Sequence, residues 1–137
     1  MKLILNNNID ELNRMISAIE EFCEKNEIGL KDTMNISLVL EEIFTNVVFY
    51  AFEDKDSHDI EVNLNIVGKE IIMEICDDGS EFNILDKPEP DDLEKEAEDR
   101  NVGGLGIHFV KKLMDEIKYK RAGNRNILHL KKKIENK

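Results

Sequence analysis

The chain has 137 residues, the length of one domain, with 30 acidic against 19 basic residues and a net charge of −11, which excludes generic nucleic-acid binding because phosphates would be repelled. Cys23 and Cys76 lie among apolar neighbours with no CxxC or Cys/His spacing, which excludes a disulfide framework or zinc site and fits a reducing compartment. No apolar run approaches the roughly 20 residues of a membrane span, and neither terminus shows a basic stretch followed by an apolar core, so a soluble, cytoplasmic protein with no membrane contact is expected.

Met1 to Leu5 alternates weakly and predicts a short edge strand. Ile9, Leu12, Ile16, Ile19 and Cys23 then recur at helical spacing, with Asn7 or Asn8 available as a cap and Gly29 as the break. A second helix is predicted from about residue 31 to 52, burying Ile36, Val39, Leu40, Ile43 and Val47. Ile60, Val62, Leu64 and Ile66 alternate strictly, turn at Gly68 and Lys69, and alternate again through Ile71, Met73, Ile75 and Asp77, which predicts a hairpin. Residues 81 to 102 hold Pro88, Pro90, dense acids and few apolar side chains, the composition of a long functional loop, with room for a short helix over 91 to 99. Gly103-Gly104-Leu105-Gly106 opens a helix with Ile107, Val110, Leu113 and Met114 apolar, and residues 116 to 122 and 126 to 132 form a last hairpin around Gly123-Asn124. This order predicts an α+β fold, a two-layer sandwich with a mixed, mainly antiparallel sheet covered on one face by helices.

Charge is unevenly placed. Residues 86 to 100 hold eight acids and three bases, whereas residues 111 to 137 hold ten bases and three acids, a run read either as a solvated face or as a docking surface.

Three places carry possible chemistry. Leu38, Glu42, Asn46 and Tyr50 lie four apart and form one row of the second helix, with apolar ends and two polar groups between them. An unpaired buried polar group costs on the order of 2–7 kcal/mol, so either the row edge reaches water or something polar binds there. Glu41 lies in the polar row Ser37, Glu41, Thr45 and reads as surface. Asp77 ends an apolar strand face and begins Asp77-Asp78-Gly79, which is either a turn or an acid placed at a pocket floor. Glycines at 103, 104 and 106 before a helix form either a tight turn or an anion site at the helix N-terminus; neither a Walker loop nor a GxGxxG unit is present. An adenine nucleotide satisfies all three places together. Asn46 then offers a hard neutral oxygen to Mg2+, Glu42 takes a proton beside the γ-phosphate, Asp77 accepts from the adenine amino group, and Gly79 leaves room for the ring.

The residues Glu42-Ile43-Phe44-Thr45-Asn46, Asp77-Asp78-Gly79 and Gly103-Gly104-Leu105-Gly106-Ile107 resemble, in order and separation, the N box and two glycine boxes of the GHKL ATPases, whose ATP pocket is the Bergerat fold. The run from Val102 to Asp115, with Phe82-Asn83 after the first glycine box, is most similar to the anti-sigma-factor serine kinases of the RsbW and SpoIIAB type. The resemblance implies one ATPase domain over 1–137 with an ATP lid at about 83–102. It implies Glu42 as catalytic base, Asn46 as Mg2+ ligand and Asp77 as adenine contact. Gly79 and the run Gly103, Gly104, Leu105 and Gly106 would line the ATP, and Arg100 would reach the γ-phosphate. Where the superfamily often has a second glycine in the first box, this chain has Glu81. The implied function is a serine/threonine protein kinase that phosphorylates a STAS-domain anti-anti-sigma protein, sequesters a sigma factor and forms a homodimer. The alternative is a nucleotide-regulated binding module without phosphotransfer. A histidine-kinase fragment is disfavoured, because His58, His108 and His129 all lie in or beside the ATP domain rather than on a dimerisation helix pair.

Overall fold

A computed structural model describes residues 1–86 and 106–134. The short helix expected over 91 to 99, most of the lid, and Arg100, Gly103, Gly104 and Leu105 lie outside the described residues.

Strand β1 (Lys2–Asn6) is followed by a 3-10 turn, Ile9–Glu11, whose cap is Asn8: its side-chain oxygen accepts from the Asp10 amide at 2.9 Å. Helix α1 (Leu12–Lys25) buries Met15, Ile19 and Cys23 at a spacing of four. The expected stripe is therefore turned by one residue at its start, where Met15 replaces Ile16. Its end is also earlier than Gly29. Glu27 takes the left-handed conformation (φ 57°), and the Ile28 amide returns to the Cys23 carbonyl at 2.9 Å. Gly29, in extended conformation, is the N-cap of α2 (Leu30–Tyr50), which buries Ile36, Val39, Leu40, Ile43, Phe44 and Val47.

The strands β2 (Asp59–Val67), β3 (Glu70–Asp77), β4 (Glu116–Ala122) and β5 (Arg125–Lys133) join β1 in a sheet of order β1-β2-β3-β5-β4. Every pair is antiparallel, so the sheet is not mixed among the described residues. The β4–β5 turn uses Gly123 and Asn124, both at positive φ (57° and 61°), the two-residue turn whose twist matches flanking strands. Helix α3 (Gly106–Leu113) packs beside α2, with Ile107 and Val110 buried. One face of the sheet, carrying Leu5, Ile60, Val62, Leu64, Ile71, Met73, Leu128 and Leu130, packs on the buried stripe of α2 to form the core. Both cysteines are buried and free, and none of the described helices is long and apolar enough to cross a membrane.

The connection from α2 to β2 is tied to the end of β3 by His58. Its ring stacks on Phe52 (4.6 Å between centroids), while Nε2 lies 2.7 Å from Asp54 Oδ1 and Nδ1 lies 3.0 Å from Asp78 Oδ1. The hydrogen bond to Asp54, with the charges of Asp54 and Asp78, raises the His58 pKa from its ordinary 6.5. A raised histidine pKa means that the folded protein favours the imidazolium. Its stabilisation is complete below about pH 6.5 and is lost as pH rises through the raised value. Denaturant unfolding at a series of pH values should show wild type more stable than His58→Gln by a margin that is constant from pH 6.5 down to the acid range where Asp54 takes up a proton, and that shrinks above pH 6.5. A margin independent of pH would remove the charged clamp.

Candidate functional site

The row Leu38, Glu42, Asn46, Tyr50 is not a uniformly buried stripe. Leu38 and Tyr50 are 44% and 42% exposed, Glu42 is half-buried, and Asn46 is fully buried. Asn46 Nδ2 donates to the Glu42 backbone carbonyl at 2.8 Å and to Glu42 Oε2 at 2.6 Å. Asn46 Oδ1 is buried with no hydrogen-bond partner among the described residues. Leaving such an acceptor unsatisfied costs about 1–3 kcal/mol, which makes Asn46 Oδ1 a candidate contact for a group from outside the fold. A neutral amide oxygen facing one way, with a carboxylate held on the amide's other side, is the donor chemistry of a hard cation such as Mg2+. Among the described residues no cluster of three or more His, Cys, Asp or Glu could hold a metal unaided.

Across the core from α2, strand alternation delivers Asp77 to the helix-covered face behind Ile71, Met73 and Ile75, as its sequence position predicts, and it is 2% exposed. Asp77 Oδ1 accepts from the Gly79 amide at 2.8 Å and from Asn126 Nδ2 at 2.9 Å. The other oxygen, Oδ2, accepts nothing among the described residues. Burial pushes the Asp77 carboxyl up in pKa, and the bonds from Asn126 and Gly79 oppose that rise.

Asn126 was not among the candidates from sequence. It faces Asp77 directly in the β3–β5 register and is 4% exposed. The signal was present, since Asn126, Leu128 and Leu130 alternate onto the buried face just as Ile71 to Asp77 do, with a polar residue at the same end.

Gly79 also has a structural reason, beside the room for a ring expected of it. A Cβ there would stand 2.4 Å from the Ala51 carbonyl oxygen and 2.9 Å from its carbon, at the end of α2, and the Ser80 amide donates to that same oxygen at 2.7 Å. The glycine lets the loop press against the helix end. Gly79→Ala should therefore lower the unfolding free energy by about 1–3 kcal/mol in a denaturant titration, as overpacking against backbone does. A variant as stable as wild type would show that the loop yields freely.

Gly106 begins α3, and with Ile107 it is the part of the second glycine box among the described residues. Val47, Asp77, Tyr119 and Asn126 line a cavity of about 20 Å³ under Phe82 and Ile84. Ile84, near the start of the expected lid segment, belongs to the core, and the ring of Phe82, just before that segment, packs 6.0 Å from that of Tyr50. A larger cleft of about 430 Å³ around His58 is walled by Glu53, Asp54 and Asp78, whose charge repels a polyphosphate.

A family model described as Histidine kinase-like ATPase domain matches residues 5–132. The chain belongs to that family. It is similar to the serine-protein kinase RsbW of Listeria monocytogenes (28% identity over 87 residues, 61% of this chain and 55% of that protein) and to RsbW of Oceanobacillus iheyensis (29% over 87 residues, with the same coverage). The chain spans about half the length of these relatives. Among solved structures, the SiaB–SiaC complex from Pseudomonas aeruginosa matches with a TM-score of 0.56 at 15% identity, covering 96% of this chain and 89% of that one. This likeness establishes the fold, an α+β sandwich.

Proposed function

We propose that this chain is an ATP-dependent serine/threonine protein kinase and anti-sigma factor, which phosphorylates a STAS-type anti-anti-sigma protein and sequesters a sigma factor. The observation that carries the reading is the buried, unpartnered Asn46 Oδ1 beside Glu42, on the helix that faces Asp77 across the core. The RsbW relatives, named as serine-protein kinases, support a serine as acceptor. In this reading residues 1–137 act as one ATPase domain in a cytoplasmic homodimer, with residues 83–102 as lid and Arg100, Gly103, Gly104, Leu105 and Gly106 on the phosphates.

Asp77 binds the adenine amino group through Oδ2, and its Oδ1 bonds hold the carboxylate in place. Asn46 ties two functions together, because its amide nitrogen holds the Glu42 carboxylate while its oxygen remains for Mg2+. When bound, Mg2+ neutralises charge on the phosphate oxygens. Glu42 accepts the proton of the acceptor serine as the Oγ–phosphorus bond forms and the bond from the γ-phosphorus to the β,γ-bridging oxygen breaks, with ADP leaving. A cavity of about 20 Å³ is far below the roughly 300 Å³ at which small-molecule pockets begin, so Phe82 and Ile84 withdraw when the base enters.

The test is incubation of the protein with γ-labelled ATP, Mg2+ and the STAS proteins of its own genome. Label transferred to a serine of one of them is expected. ATP binding that alters affinity for a partner without transferring label would favour a regulated binding module instead.

A further inference from the structure

The outward sides of α1 and α2 differ in chemistry. Every exposed side chain of α1 is polar, as on a helix facing water, whereas those of α2 are Leu30, Met34, Leu38, Phe49 and Tyr50, with Lys31 the one charged exception. Leu30, Met34 and Leu38 are 76%, 55% and 44% exposed, stand four apart on one face, and continue the row that holds Glu42 and Asn46. Contiguous apolar surface of this kind marks a place of contact. Leu30 also lines, with Ile28, Thr33, Glu20 and Glu24, a groove of about 450 Å³ between α1 and α2, large enough for a partner's side chain.

The two ends of the row adjoin different things. Beyond Asn46, α2 ends at Ala51, whose carbonyl oxygen accepts from the Ser80 amide at 2.7 Å and abuts Gly79, so the loop after Asp77 sits at the C-terminal end of the helix. A nucleotide held by Asp77 and a metal held by Asn46 therefore lie on the C-terminal side of Glu42. Phosphoryl transfer keeps the attacking and leaving oxygens roughly in line, so a serine that attacks while ADP leaves toward Asp77 arrives from the other side, over the first half of α2. Its oxygen must come within about 3 Å of the Glu42 carboxylate to give up its proton. Along the helix axis Leu38, Met34 and Leu30 stand about 6, 12 and 18 Å from Glu42, and a folded acceptor about 30 Å across covers all three.

We propose that Leu30, Met34 and Leu38 are the docking surface for the acceptor protein, which lays an apolar strip along the first half of α2 and so delivers its serine to Glu42. The inference rests on the reading of Glu42 as the catalytic base. The row supplies affinity and register, while the chemistry stays with Glu42 and Asn46.

Leu30→Ser combined with Met34→Ser tests it, since both side chains are more than half exposed and their replacement leaves the core untouched. The probe is the STAS protein of the same genome that the wild type labels. Calorimetric titration of that protein into Glu42→Gln loaded with ATP and Mg2+, where transfer is slow, should give an affinity at least about tenfold weaker once the two substitutions are added. With Glu42 intact, the KM for the acceptor should rise at least about tenfold, while kcat at saturating acceptor and the affinity for ATP stay within about twofold of wild type. Met34→Lys alone should weaken acceptor binding by about threefold or more, a readout that remains if the double variant does not fold. An acceptor affinity within about twofold of the parent's, or a loss in kcat with KM unchanged, overturns the inference and leaves the kinase reading standing. Sedimentation that finds a dimeric wild type and a monomeric double variant also overturns it, because the row then faces a second copy of the chain. A wild type that labels no STAS protein overturns the kinase reading and the inference with it.

Discussion

Glu42→Gln is expected to slow phosphate transfer to the acceptor serine by between about a hundredfold and ten-thousandfold, the usual worth of a positioned general base, while ATP binding stays within about threefold of wild type. Glutamine has nearly the same shape and keeps a side-chain oxygen for Asn46 Nδ2, so the contact now made at 2.6 Å survives. What disappears is basicity. An amide cannot hold the serine proton at neutral pH, and single-turnover transfer from labelled ATP reads that loss apart from binding. Transfer within threefold of wild type would place the base elsewhere.

Asn46→Leu is expected to separate stability from function. Leucine removes the buried oxygen that has no partner, relieving a cost of about 1–3 kcal/mol, and it forfeits two Nδ2 bonds. One of those goes to a carbonyl inside α2, where the helix itself supplies a donor. The variant should therefore unfold within about 1 kcal/mol of wild type or higher, while its affinity for ATP in Mg2+ falls at least about tenfold. Buried polar groups that weaken a fold yet persist are expected at sites of function. Unchanged nucleotide affinity would remove Asn46 from the metal site.

The parts of this site that were legible in the sequence are those whose signal is local. Asp77 ends an alternation that needs only its own strand, and Glu42 and Asn46 share a row that needs only its own helix. What was missed depends on neighbours distant in the chain. Asn126 acquires meaning only when β5 lies beside β3, in a register that puts it opposite Asp77, 49 residues away. Gly79 was singled out for the room it leaves, but its close approach to the Ala51 carbonyl at the end of α2 is a contact that no turn propensity encodes. Ile84 falls in the segment 81 to 102, whose composition reads as a loop with few apolar side chains, yet it packs in the core with residues distant in the chain. The end of α1 was misplaced for a different reason. Gly29 is the residue expected at a helix break, but Glu27 takes the positive φ.

In the proposed function, α2 and the ends of β3 and β5 form a magnesium-dependent ATP site. Isothermal titration of ATP into the wild-type protein, once with Mg2+ and once with a chelator of divalent cations, tests this. Saturable binding at one site per chain that is lost in the chelator is the predicted result. No binding in Mg2+, or the same affinity with the chelator present, would contradict it.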